Sequence, residues 1–582
     1  MGGYTMNVLF LTSAHNSLSQ RLLIELTDRG YQVSVALATS DEAMLTGVAE
    51  HAPDLIIAPM LKIAVPEAIW SQHKCLIVHP GIKGDRGPSS LDWAIQMGEK
   101  IWGVTVLEAV GDMDAGPIWA SHEFPTGAQP VAKSSLYRHE VAEAAVRGVI
   151  EAVAKFELDE FRPEPLDYRK YDIHGCLRAP MRQPDRSIDW MRDSTEVIAR
   201  KIRAADSQPG VLDSLIGKPY YLYGAHEEDR IKGAPGEILA QRHGAICRGT
   251  VDGAIWITHL KAKDHGPFAG IKLPAIQVLG EFFQTPTAML SMGAPMDFRT
   301  FREIRYTEKD QVGYLYFDFY NGAMSTEQCY RLRDAFLAAR ARPTRVIVFL
   351  GGRDFWSNGI HLNVIEAAPD PAMESWRNIN AIDDLIYEIF NTMSHLVVAG
   401  LRGNAGAGGA MLALAADYVY ARRGVVLNPH YKSMGGLYGS EYHTYTLPRR
   451  VGRAQAVKLT ERCLPIGTKA AKATGFLDDA FGDSSDEFEQ EMMRRATEKA
   501  QDPQIWRLLR EKHEKRLAGQ CIKPLAVYRA EELKKMRANF FGPDPAYHVA
   551  RQRFVYKGAP ASRVPEKTAR QAVPMRSSGA MA

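Results

Sequence analysis

Apolar residues along the chain follow two alternating patterns, which predict strands and helices in turn. Short apolar runs at 7–13, 31–39, 54–59 and 75–80 are typical of buried strands, and helical periodicity lies between them, first over Leu18–Arg29. Strands that alternate with helices in this way indicate a parallel sheet built from β-α-β units. Ligands of such sheets bind beyond the carboxyl ends of the strands, so we expect candidate chemistry in the loops there.

The pattern changes between about Phe161 and Pro274. Short runs of alternating apolar residues are separated there by glycine-rich turns, and a helix is predicted near Ser194–Ala204. This pattern of short strands and turns is typical of a small β-barrel or a curled sheet. We expect a helical linker to follow over 276–304.

A second α/β pattern begins with a predicted strand at 312–320. A helix near Thr326–Arg340 and a strand at 345–352 follow, and the segment 395–421 runs from a buried strand through a glycine-rich turn into a helix. Glycines at such a turn let the backbone approach a ligand and leave amide groups free at the start of the helix. After about Ser484 the pattern is helical and amphipathic.

These changes divide the chain into several units of mixed α/β class. A chain of 582 residues is too long for one ordinary domain, since domains usually contain about 100–200 residues. The predicted boundaries are 1–157, 158–275, a linker at 276–304, 305–556, and a mobile tail at 557–582.

Composition excludes several classes of protein. The 46% apolar and 24% charged residues match a soluble globular enzyme, and a formal charge of +3 gives no general basis for binding nucleic acid or a membrane surface. The six cysteines form no C-x-x-C pair and the N-terminus has no signal-peptide pattern, so a reducing cytoplasm fits best. The sequence contains no run of about 18 apolar residues and no cluster with metal-ligand spacing, so we expect neither a membrane span nor a metal.

Two segments of the first unit carry candidate chemistry. HPGIKGDRGPSSLDWA (79–94) follows a predicted strand, and GVTVLEAVGDMDAGPIWA (103–120) comes next. Together they resemble the folate-dependent formyltransferases, whose signature joins a histidine, a loop that ends in a helix, a valine-rich strand and an aspartate in a turn. His79 and Asp114 match that histidine and that aspartate. The resemblance covers about residues 6–275.

The chemistry of formyl transfer explains these residue types. Transfer from formyl-tetrahydrofolate, the donor that the resemblance implies, passes through a tetrahedral carbon with a negative oxygen, which a donor such as His79 stabilises. Asp114 would orient the histidine and take a proton from the acceptor. Either residue alone would more often be a structural histidine or an unrelated turn aspartate, whereas the paired motifs favour the functional interpretation.

The first unit departs from the family pattern at Ile77, where the family usually carries an asparagine two residues before the histidine. One polarising amide is missing, so either the transfer is slower or Gln20 or Ser13 in the first loop replaces it. Lys83, Asp85 and Arg86 are candidates to contact an anionic part of folate. The alternative, a solvated charged loop, stays equally open.

Two segments of the second α/β unit resemble the crotonase superfamily. RDFWSNGIHLNVIE (353–366) matches its F-S-x-G-x-D-L segment, and RGNAGAGGAML (402–412) matches its glycine-rich helix start. In that family, two backbone amides from these segments form an oxyanion hole for a thioester carbonyl, and here they would be those of Ile360 and Gly408. Each such amide contributes about 3 kcal/mol to stabilising the developing charge, whatever its side chain. The resemblance covers about residues 310–500 and implies coenzyme A as a ligand.

The acids of an enoyl-CoA hydratase are absent from this frame. A hydratase needs a pair of glutamates, and the matching positions hold Met411 and His430. Methionine carries no proton and the histidine alone does not restore the pair, so ordinary hydration is not the expected reaction. The nearby segment 429–445 is rich in ionisable groups. We predict Glu441 as base or acid and Tyr431 as hydrogen-bond donor; alternatively, they only stabilise an unusual glycine-rich loop.

Together the resemblances imply a Rossmann-like formyltransferase domain, a small β-barrel-like subdomain and a crotonase-type α/β spiral domain with a helical C-terminal part. A formyl donor site joined to a thioester site suggests formyl transfer to coenzyme A and then release of carbon monoxide from formyl-CoA. The fusion, with Tyr431 and Glu441 replacing the usual acids, resembles a family of hydrogenase maturation factors. That resemblance implies that carbon monoxide becomes a ligand of the nickel-iron hydrogenase active site, with hydrogenase maturation proteins as partners.

Two other functions stay open from the sequence. A bifunctional enzyme would act separately on an amine and on an acyl-CoA, although Met411 disfavours its second activity. A scaffold without catalysis would use both folds to bind a maturation partner and would bind neither folate nor coenzyme A. Thermal shifts with each ligand identify the scaffold, because a ligand that binds only the folded protein raises its apparent stability.

Overall fold

The computed structural model describes residues 5–127, 131–264, 266, 268–280, 283–295 and 297–557. The predicted mobile tail, apart from Lys557, lies outside the described residues. Three folded units follow one another along the chain, and each contributes a six-stranded sheet.

The first unit is built on a mixed sheet with the strand order β2-β1-β3-β4-β5-β6. Its strands are β1 (Asn7–Thr12), β2 (Gln32–Leu37), β3 (Leu55–Met60), β4 (Cys75–His79), β5 (Ile101–Glu108) and β6 (Ile118–Pro125). Its helices are α1 (Ser17–Thr27), α2 (Asp41–His51), α3 (Glu67–Trp70), α4 (Ser90–Met97), α5 (Lys133–Leu136) and, after a π-helical turn, α6 (Ala142–Phe156). Alternate residues of β1 enter two separate apolar cores, one on each face of the sheet.

The first four strands of this sheet are parallel, as predicted. In contrast, β5 runs antiparallel to β4, and β6 runs antiparallel to β5. The loop 109–117 between β5 and β6 contains no helix that would carry the chain across the sheet. A parallel pair needs such a crossover, so the last strands form an antiparallel edge instead.

The second unit is an antiparallel sheet with the order β7-β8-β11-β10-β9, and β12 pairs with β11. The strands are β7 (Val211–Leu215), β8 (Lys218–Glu228), β9 (Ile238–Arg242), β10 (Ala245–Gly249), β11 (Ala254–Ala262) and β12 (Lys272–Pro274). Helix α7 (Thr195–Ala204) packs its apolar face on this sheet, and the Ser194 side chain caps its first turn, close to the predicted start.

The predicted helical linker at 276–304 is mostly not helical. Helix α8 (Ala275–Leu279) ends at Gly280, and the rest of the described linker is irregular. Pro286 and Pro295 interrupt the apolar pattern, because proline removes a helical hydrogen bond and restricts the residue before it. The prediction of a helix was therefore wrong beyond its first turn.

The third unit contains two sheets, with the orders β13-β14-β15-β17-β19-β22 and β16-β18-β20-β21. The strands are β13 (Ile304–Lys309), β14 (Val312–Phe317), β15 (Val346–Leu350), β16 (Phe355–Ser357), β17 (Leu396–Leu401), β18 (Asn404–Gly406), β19 (Tyr418–Arg422), β20 (Val426–Asn428), β21 (Ile466–Gly467) and β22 (Asp479–Phe481). The small second sheet carries the turns at the carboxyl ends of β16 and β18, where the predicted oxyanion residues lie.

Helices surround both sheets of the third unit. They are α9 (Thr326–Arg340), α10 (Leu362–Glu366), α11 (Pro371–Phe390), α12 (Gly408–Ala413), α13 (His443–Val451), α14 (Arg453–Arg462), α15 (Thr468–Ala473), α16 (Ser485–Gln501), α17 (Ile505–Ile522), α18 (Leu525–Phe541) and α19 (Ala546–Val555). The predicted helical C-terminal part corresponds to α16 to α19. Helix α18 packs against α11, and its Leu525 joins the main core of the unit.

A partly buried carboxylate joins the first unit to the third. Asp354 accepts hydrogen bonds from Ser135 Oγ at 2.7 Å and from the Arg138 guanidinium at 3.0 Å, and His139 Nε2 lies 3.1 Å from it. Burial alone would raise the pKa of Asp354, but the His139 hydrogen bond and the Arg138 charge outweigh it and lower that pKa to about 2. The carboxylate is therefore ionised at neutral pH and contacts the other unit as an anion.

Candidate active sites

The first candidate site is centred on His79, the last residue of β4. Its buried imidazole has a carboxylate near each ring nitrogen: Nε2 lies 2.9 Å from Asp85 Oδ2, and Nδ1 lies 3.4 Å from Asp114 Oδ2. The structure therefore brings His79 and Asp114 together. Their predicted catalytic roles stay predictions.

Backbone contacts fix Asp114 beside the histidine. Asp114 has a left-handed conformation with φ 52°, and its Oδ2 accepts a hydrogen bond from the Gly87 amide at 3.1 Å. Arg86 Nε donates to the carbonyl oxygen of Met113 at 2.8 Å. The loop after β4 and the turn before β6 thus hold each other in place.

Asp85 was predicted, together with Lys83 and Arg86, either to contact an anionic part of folate or to lie in a solvated charged loop. In the structure its carboxylate is buried between His79 and Arg178, whose Nε lies 3.3 Å from Oδ1. A Cβ at Gly81 would lie 2.5 Å from both Asp85 Oδ2 and His79 Nε2, so this pair needs a glycine in the loop. The one sequence signal was the position of Asp85 within the loop that follows the histidine.

The candidates for folate contacts have partners within the chain. Lys83 Nζ lies 3.1 Å from Glu164 Oε2 and 2.7 Å from Asp172 Oδ2. Arg86 is engaged with the Met113 carbonyl. The Lys83 ammonium would have to exchange these carboxylates for a ligand anion, so its binding role stays a prediction.

The position of the missing asparagine is apolar. Ile77 packs partly buried against the core on one face of the sheet. Neither proposed replacement is free of other bonds: Ser13 Oγ accepts from the Lys62 amide at 2.8 Å, and Gln20 Nε2 donates to the His15 carbonyl at 3.0 Å.

The second candidate site lies where the turn after β16 meets the start of α12. A Cβ at Gly359 would lie 3.2 Å from the Gly408 nitrogen, which shows how closely the two segments approach. Ala407 precedes the helix in a left-handed conformation with φ 46°. Neither the Ile360 nor the Gly408 amide donates to another group in the described part of the chain. These two amides are therefore free to bind a ligand oxygen.

Glu441 lies directly against this pair of segments. A Cβ at position 408 would lie 1.9 Å from Glu441 Oε1, so the acid occupies the space that a side chain there would fill. Burial, and then repulsion from Asp383, raise the pKa of Glu441 to about 8. A carboxyl group with such a pKa exchanges protons near neutral pH, as a general acid or base requires.

Tyr431 lines the same cavity with a buried hydroxyl group. That hydroxyl has no hydrogen-bond partner among the described residues, and a Cβ at Gly439 would lie 2.6 Å from its ring. Burial, followed by the charge of Glu441, raises the pKa of Tyr431 well above its usual value. The phenol therefore keeps its proton and has it available for a ligand.

The positions that hold glutamates in a hydratase carry no carboxylate here. Met411 is fully buried in the apolar core. His430 lines the cavity, and its Nδ1 lies 2.7 Å from the carbonyl oxygen of Asn428. Three polar residues that sequence reasoning missed lie behind Glu441 instead: Asp383, Ser440 and Glu532.

The cavity in front of Glu441 has a volume of about 400 Å³. Its walls come from all three units, because Arg138 of the first and Lys272 of the second face the third across it. Glu441 is the only carboxylate among the described residues that line it. The lining near Glu441 is largely apolar, with Ile360, Ile379, Met434, Leu437 and Met536.

A second cavity, of about 360 Å³, adjoins the first. The two share His259, Tyr320 and Asn321, and the second is also lined by Asp354. Lys272 Nζ donates to Tyr320 at 3.0 Å, and burial lowers the pKa of Lys272 to about 8. The open space therefore continues along the contact between the units.

The described residues contain neither a metal-binding cluster nor a membrane-spanning helix. No group of three or more histidine, cysteine, aspartate or glutamate side chains there could hold a metal ion. None of the helices described is long and apolar enough to cross a membrane.

Comparisons with known proteins agree with the architecture. Residues 36–153 match the family model described as formyl transferase, residues 180–270 match the formyl transferase C-terminal domain, and residues 318–537 match enoyl-CoA hydratase/isomerase. The second unit therefore belongs with the first, and the third is of crotonase type.

One curated relative is similar over nearly its whole length. The hydrogenase maturation factor HoxX of Bradyrhizobium diazoefficiens is 48% identical over 565 residues, which are 96% of this chain and 96% of the relative. The methionyl-tRNA formyltransferase of Thermotoga neapolitana is 31% identical over 214 residues, which are 36% of this chain and 66% of that enzyme.

A solved structure has the same overall fold. The crystal structure of HypX from Aquifex aeolicus in complex with tetrahydrofolic acid is 46% identical, with a TM-score of 0.91. The similarity covers 97% of this chain and 98% of that one. All three units and their arrangement are therefore shared between the two proteins.

Proposed function

This chain belongs to the family of hydrogenase maturation factors that includes HoxX and HypX, and from that premise we propose that it makes carbon monoxide from a formyl group in two reactions. The first moves the formyl group from formyl-tetrahydrofolate to the thiol of coenzyme A. The second releases carbon monoxide from formyl-CoA and returns coenzyme A. The matched families imply an enzyme with a formyltransferase domain and a crotonase-like domain.

In the first reaction, the formyl carbon forms a bond to sulfur and its bond to the folate nitrogen breaks. His79 would donate a hydrogen bond to the oxygen of the tetrahedral carbon. Asp114 would take the thiol proton, which passes finally to the folate nitrogen. The tetrahydrofolate in the HypX crystal structure supports a folate substrate for this chain as well.

In the second reaction, the C–H and C–S bonds of the formyl thioester both break. The amides of Ile360 and Gly408 would hold the formyl oxygen, and the Glu441 carboxylate would take the formyl hydrogen as a proton. The electrons of the C–S bond leave with sulfur, and Glu441 returns the proton to it. No oxidant or reductant is needed, because the sum is formyl-CoA giving carbon monoxide and coenzyme A.

Tyr431 would donate its proton in a hydrogen bond to the departing sulfur. Its unpaired buried hydroxyl supports this role, since a buried donor without a partner is costly and a ligand atom would satisfy it. The apolar lining supports release of carbon monoxide over hydrolysis, because it provides little to hold an attacking water molecule.

One observation supports this proposal more strongly than the others do. A single carboxyl group, with a pKa raised to about 8, lies against Gly408 at the oxyanion amides, while the hydratase position holds Met411 in the core. This arrangement suits the movement of one proton and lacks the second acid that hydration requires.

The product would serve as the carbon monoxide ligand of a nickel-iron hydrogenase. The curated relative is a hydrogenase maturation factor, and supply of this ligand is one step that such a factor would perform. Hydrogenase maturation proteins would then be the partners that receive the product.

The test is a product assay with the purified protein. Incubation with formyl-tetrahydrofolate labelled with carbon-13 in the formyl group, together with coenzyme A, should give labelled carbon monoxide in a haem trap. Glu441→Gln should reduce that signal about 100-fold or more, because it removes the proton acceptor. Equal carbon monoxide from the variant and the wild type, or none from either, would overturn the proposal.

A further inference from the structure

The acid of the second site lies in a strained turn. Glu441 and Tyr442 both have left-handed backbone conformations, with φ 59° and φ 54°. Residues other than glycine disfavour this region and stay there only where their surroundings hold them. Contacts outside the turn must therefore hold Glu441 against Gly408.

Asp383 provides such contacts from α11. One of its oxygens accepts a hydrogen bond from the Glu441 amide at 2.9 Å, and the other accepts from Ser440 Oγ at 2.8 Å. The Asp383 side chain is fully buried. Both residues at the start of the turn are thus bound to one carboxyl group.

Glu532 provides the second set of contacts, from α18. Its Oε1 accepts from the Thr444 amide at 2.8 Å, and its Oε2 lies 3.4 Å from Ser440 Oγ. The hydrogen bonds of Glu532 therefore span the turn from Ser440 to Thr444. Glu532 lies near the end of the segment, residues 318–537, that matches the enoyl-CoA hydratase/isomerase family.

The orientation of the Glu441 carboxyl group follows from the shape of this turn. Ser440 donates its backbone N–H to Glu441 Oε2 at 2.9 Å, which leaves Oε1 against Gly408. A change in the turn would rotate or withdraw the oxygen that faces the oxyanion amides.

We propose that Asp383 and Glu532 are positioning residues, which hold the turn at Ser440–Tyr442 so that Glu441 presents one carboxyl oxygen beside the oxyanion amides. The inference rests on the proposed release of carbon monoxide at this site and goes beyond it, because neither residue lines the cavity. Both act through Glu441 rather than on the substrate.

The negative charges of Asp383 and Glu532 also affect the pKa of Glu441. Burial is the main cause of its raised pKa, and the charges of Asp383 and then Glu532 raise it further. Burial also raises the pKa of Asp383, to about 6, so Asp383 is mostly ionised at pH 7. The titratable groups around Glu441 are Cys329, Asp383, Glu532, His430, Tyr431 and His443, and Arg529 lies beside Asp383.

Asp383→Asn tests the inference, because it keeps the shape of the side chain and removes its charge. With formyl-CoA supplied directly, we expect the pH midpoint for release of carbon monoxide to fall by about one unit, since a negative neighbour has been lost. The maximal rate should also fall, because asparagine cannot accept hydrogen bonds at both ends. Asp384→Asn is the matched control: it changes the adjacent aspartate, which pairs with the same Arg529 and makes no contact with the turn.

Glu532→Gln provides a second variant, in which an amide oxygen can still accept from Thr444. Burial raises the pKa of Glu532 to about 8, so less of its charge is present near neutrality. We expect a smaller downward shift of the midpoint than with Asp383→Asn. A midpoint that stays unchanged in both folded variants would overturn the inference.

A direct titration separates this inference from the proposed function. Infrared difference spectra between the wild type and Glu441→Gln report the protonated Glu441 carboxyl group as pH is raised, without any turnover. A lower titration midpoint in Asp383→Asn supports the positioning role even if no carbon monoxide forms. Loss of carbon monoxide with an unchanged Glu441 titration would instead contradict the positioning role alone.

Discussion

Gly408 has no side chain, and this leaves the space in which the Glu441 carboxyl group of the second site lies. A Cβ at position 408 would lie 1.9 Å from Glu441 Oε1, far inside van der Waals contact. Gly408→Ala should displace the carboxyl group and slow carbon monoxide release from formyl-CoA about 100-fold, since misplacement of a reacting group by about 1 Å has such effects. Formyl transfer at the first site should be unchanged.

The control for this variant is Gly519→Ala on α17, where a Cβ would meet no atom within 4 Å. It should keep the wild-type rate of carbon monoxide release. A Gly408→Ala protein with the full rate would contradict the place given to Glu441.

Because of Glu441, the folded protein should also become less stable as pH rises. The Glu441 carboxyl group keeps its proton up to about pH 8 when folded and loses it near 4.5 when unfolded. Between these values the unfolded chain binds fewer protons, so the free energy of unfolding falls as pH rises. Glu441→Gln cannot ionise, and its Tm should exceed that of the wild type by more at pH 8 than at pH 5. Parallel Tm curves for the two proteins would contradict the raised pKa.

The first site has its own test at the residue scale. Asp85 lies 2.9 Å from His79 Nε2, so its carboxylate orients the ring toward the substrate. Asp85→Asn should lower formyl transfer to coenzyme A about 10-fold to 100-fold, as loss of a partner behind a functional histidine commonly does. Asp28→Asn, which changes an exposed aspartate at the end of α1, is the control and should retain transfer. Equal rates in the two variants would argue against a role for Asp85.

At the scale of elements, the sequence predicted those that local signals define. The predicted helix Thr326–Arg340 has the bounds of α9, because Ser325 and Gln328 form a capping box at its start. The antiparallel edge β5–β6 was missed, since strand direction depends on the crossover and not on the apolar pattern. The prediction of a helical linker failed at Pro286 and Pro295, because the apolar pattern does not report how proline restricts the backbone of the residue before it.

The parts of the site that the sequence could not supply come from distant elements. Asp383 contacts the Glu441 amide across 58 positions, and Glu532 contacts the Thr444 amide across 88. In the sequence, both appear as charged residues on amphipathic helices, which are usually solvated. Their burial follows from the packing of α18 on α11, and no local pattern encodes that contact.

At the scale of the whole molecule, the cavity of the second site lies where the three units meet. The cavity at Glu441 is lined by Arg138 of the first unit and Lys272 of the second, and it adjoins a second cavity that is lined by Asp354. We predict that the docked units keep a formyl thioester from bulk solvent on its way from the His79 site to this cavity, and that docking thereby raises the yield of carbon monoxide.

Asp354 is where that docking can be weakened while His79, Asp114 and Glu441 keep their own contacts. It carries hydrogen bonds from Ser135 and Arg138 of the first unit, and its low pKa shows that it binds as an anion. Asp354→Asn removes the charge that Arg138 pairs with in this partly buried contact, so it should loosen the contact between the units. We expect normal rates when each reaction is given its own substrate. With labelled formyl-tetrahydrofolate and coenzyme A, less labelled carbon monoxide should form, and labelled formyl-CoA or formate should appear in solution.

The control is Asp483→Asn, which changes an exposed ion pair with Arg423 within the third unit and should keep the label in carbon monoxide. If Asp354→Asn released no intermediate, the docked units would not be what keeps the formyl group inside.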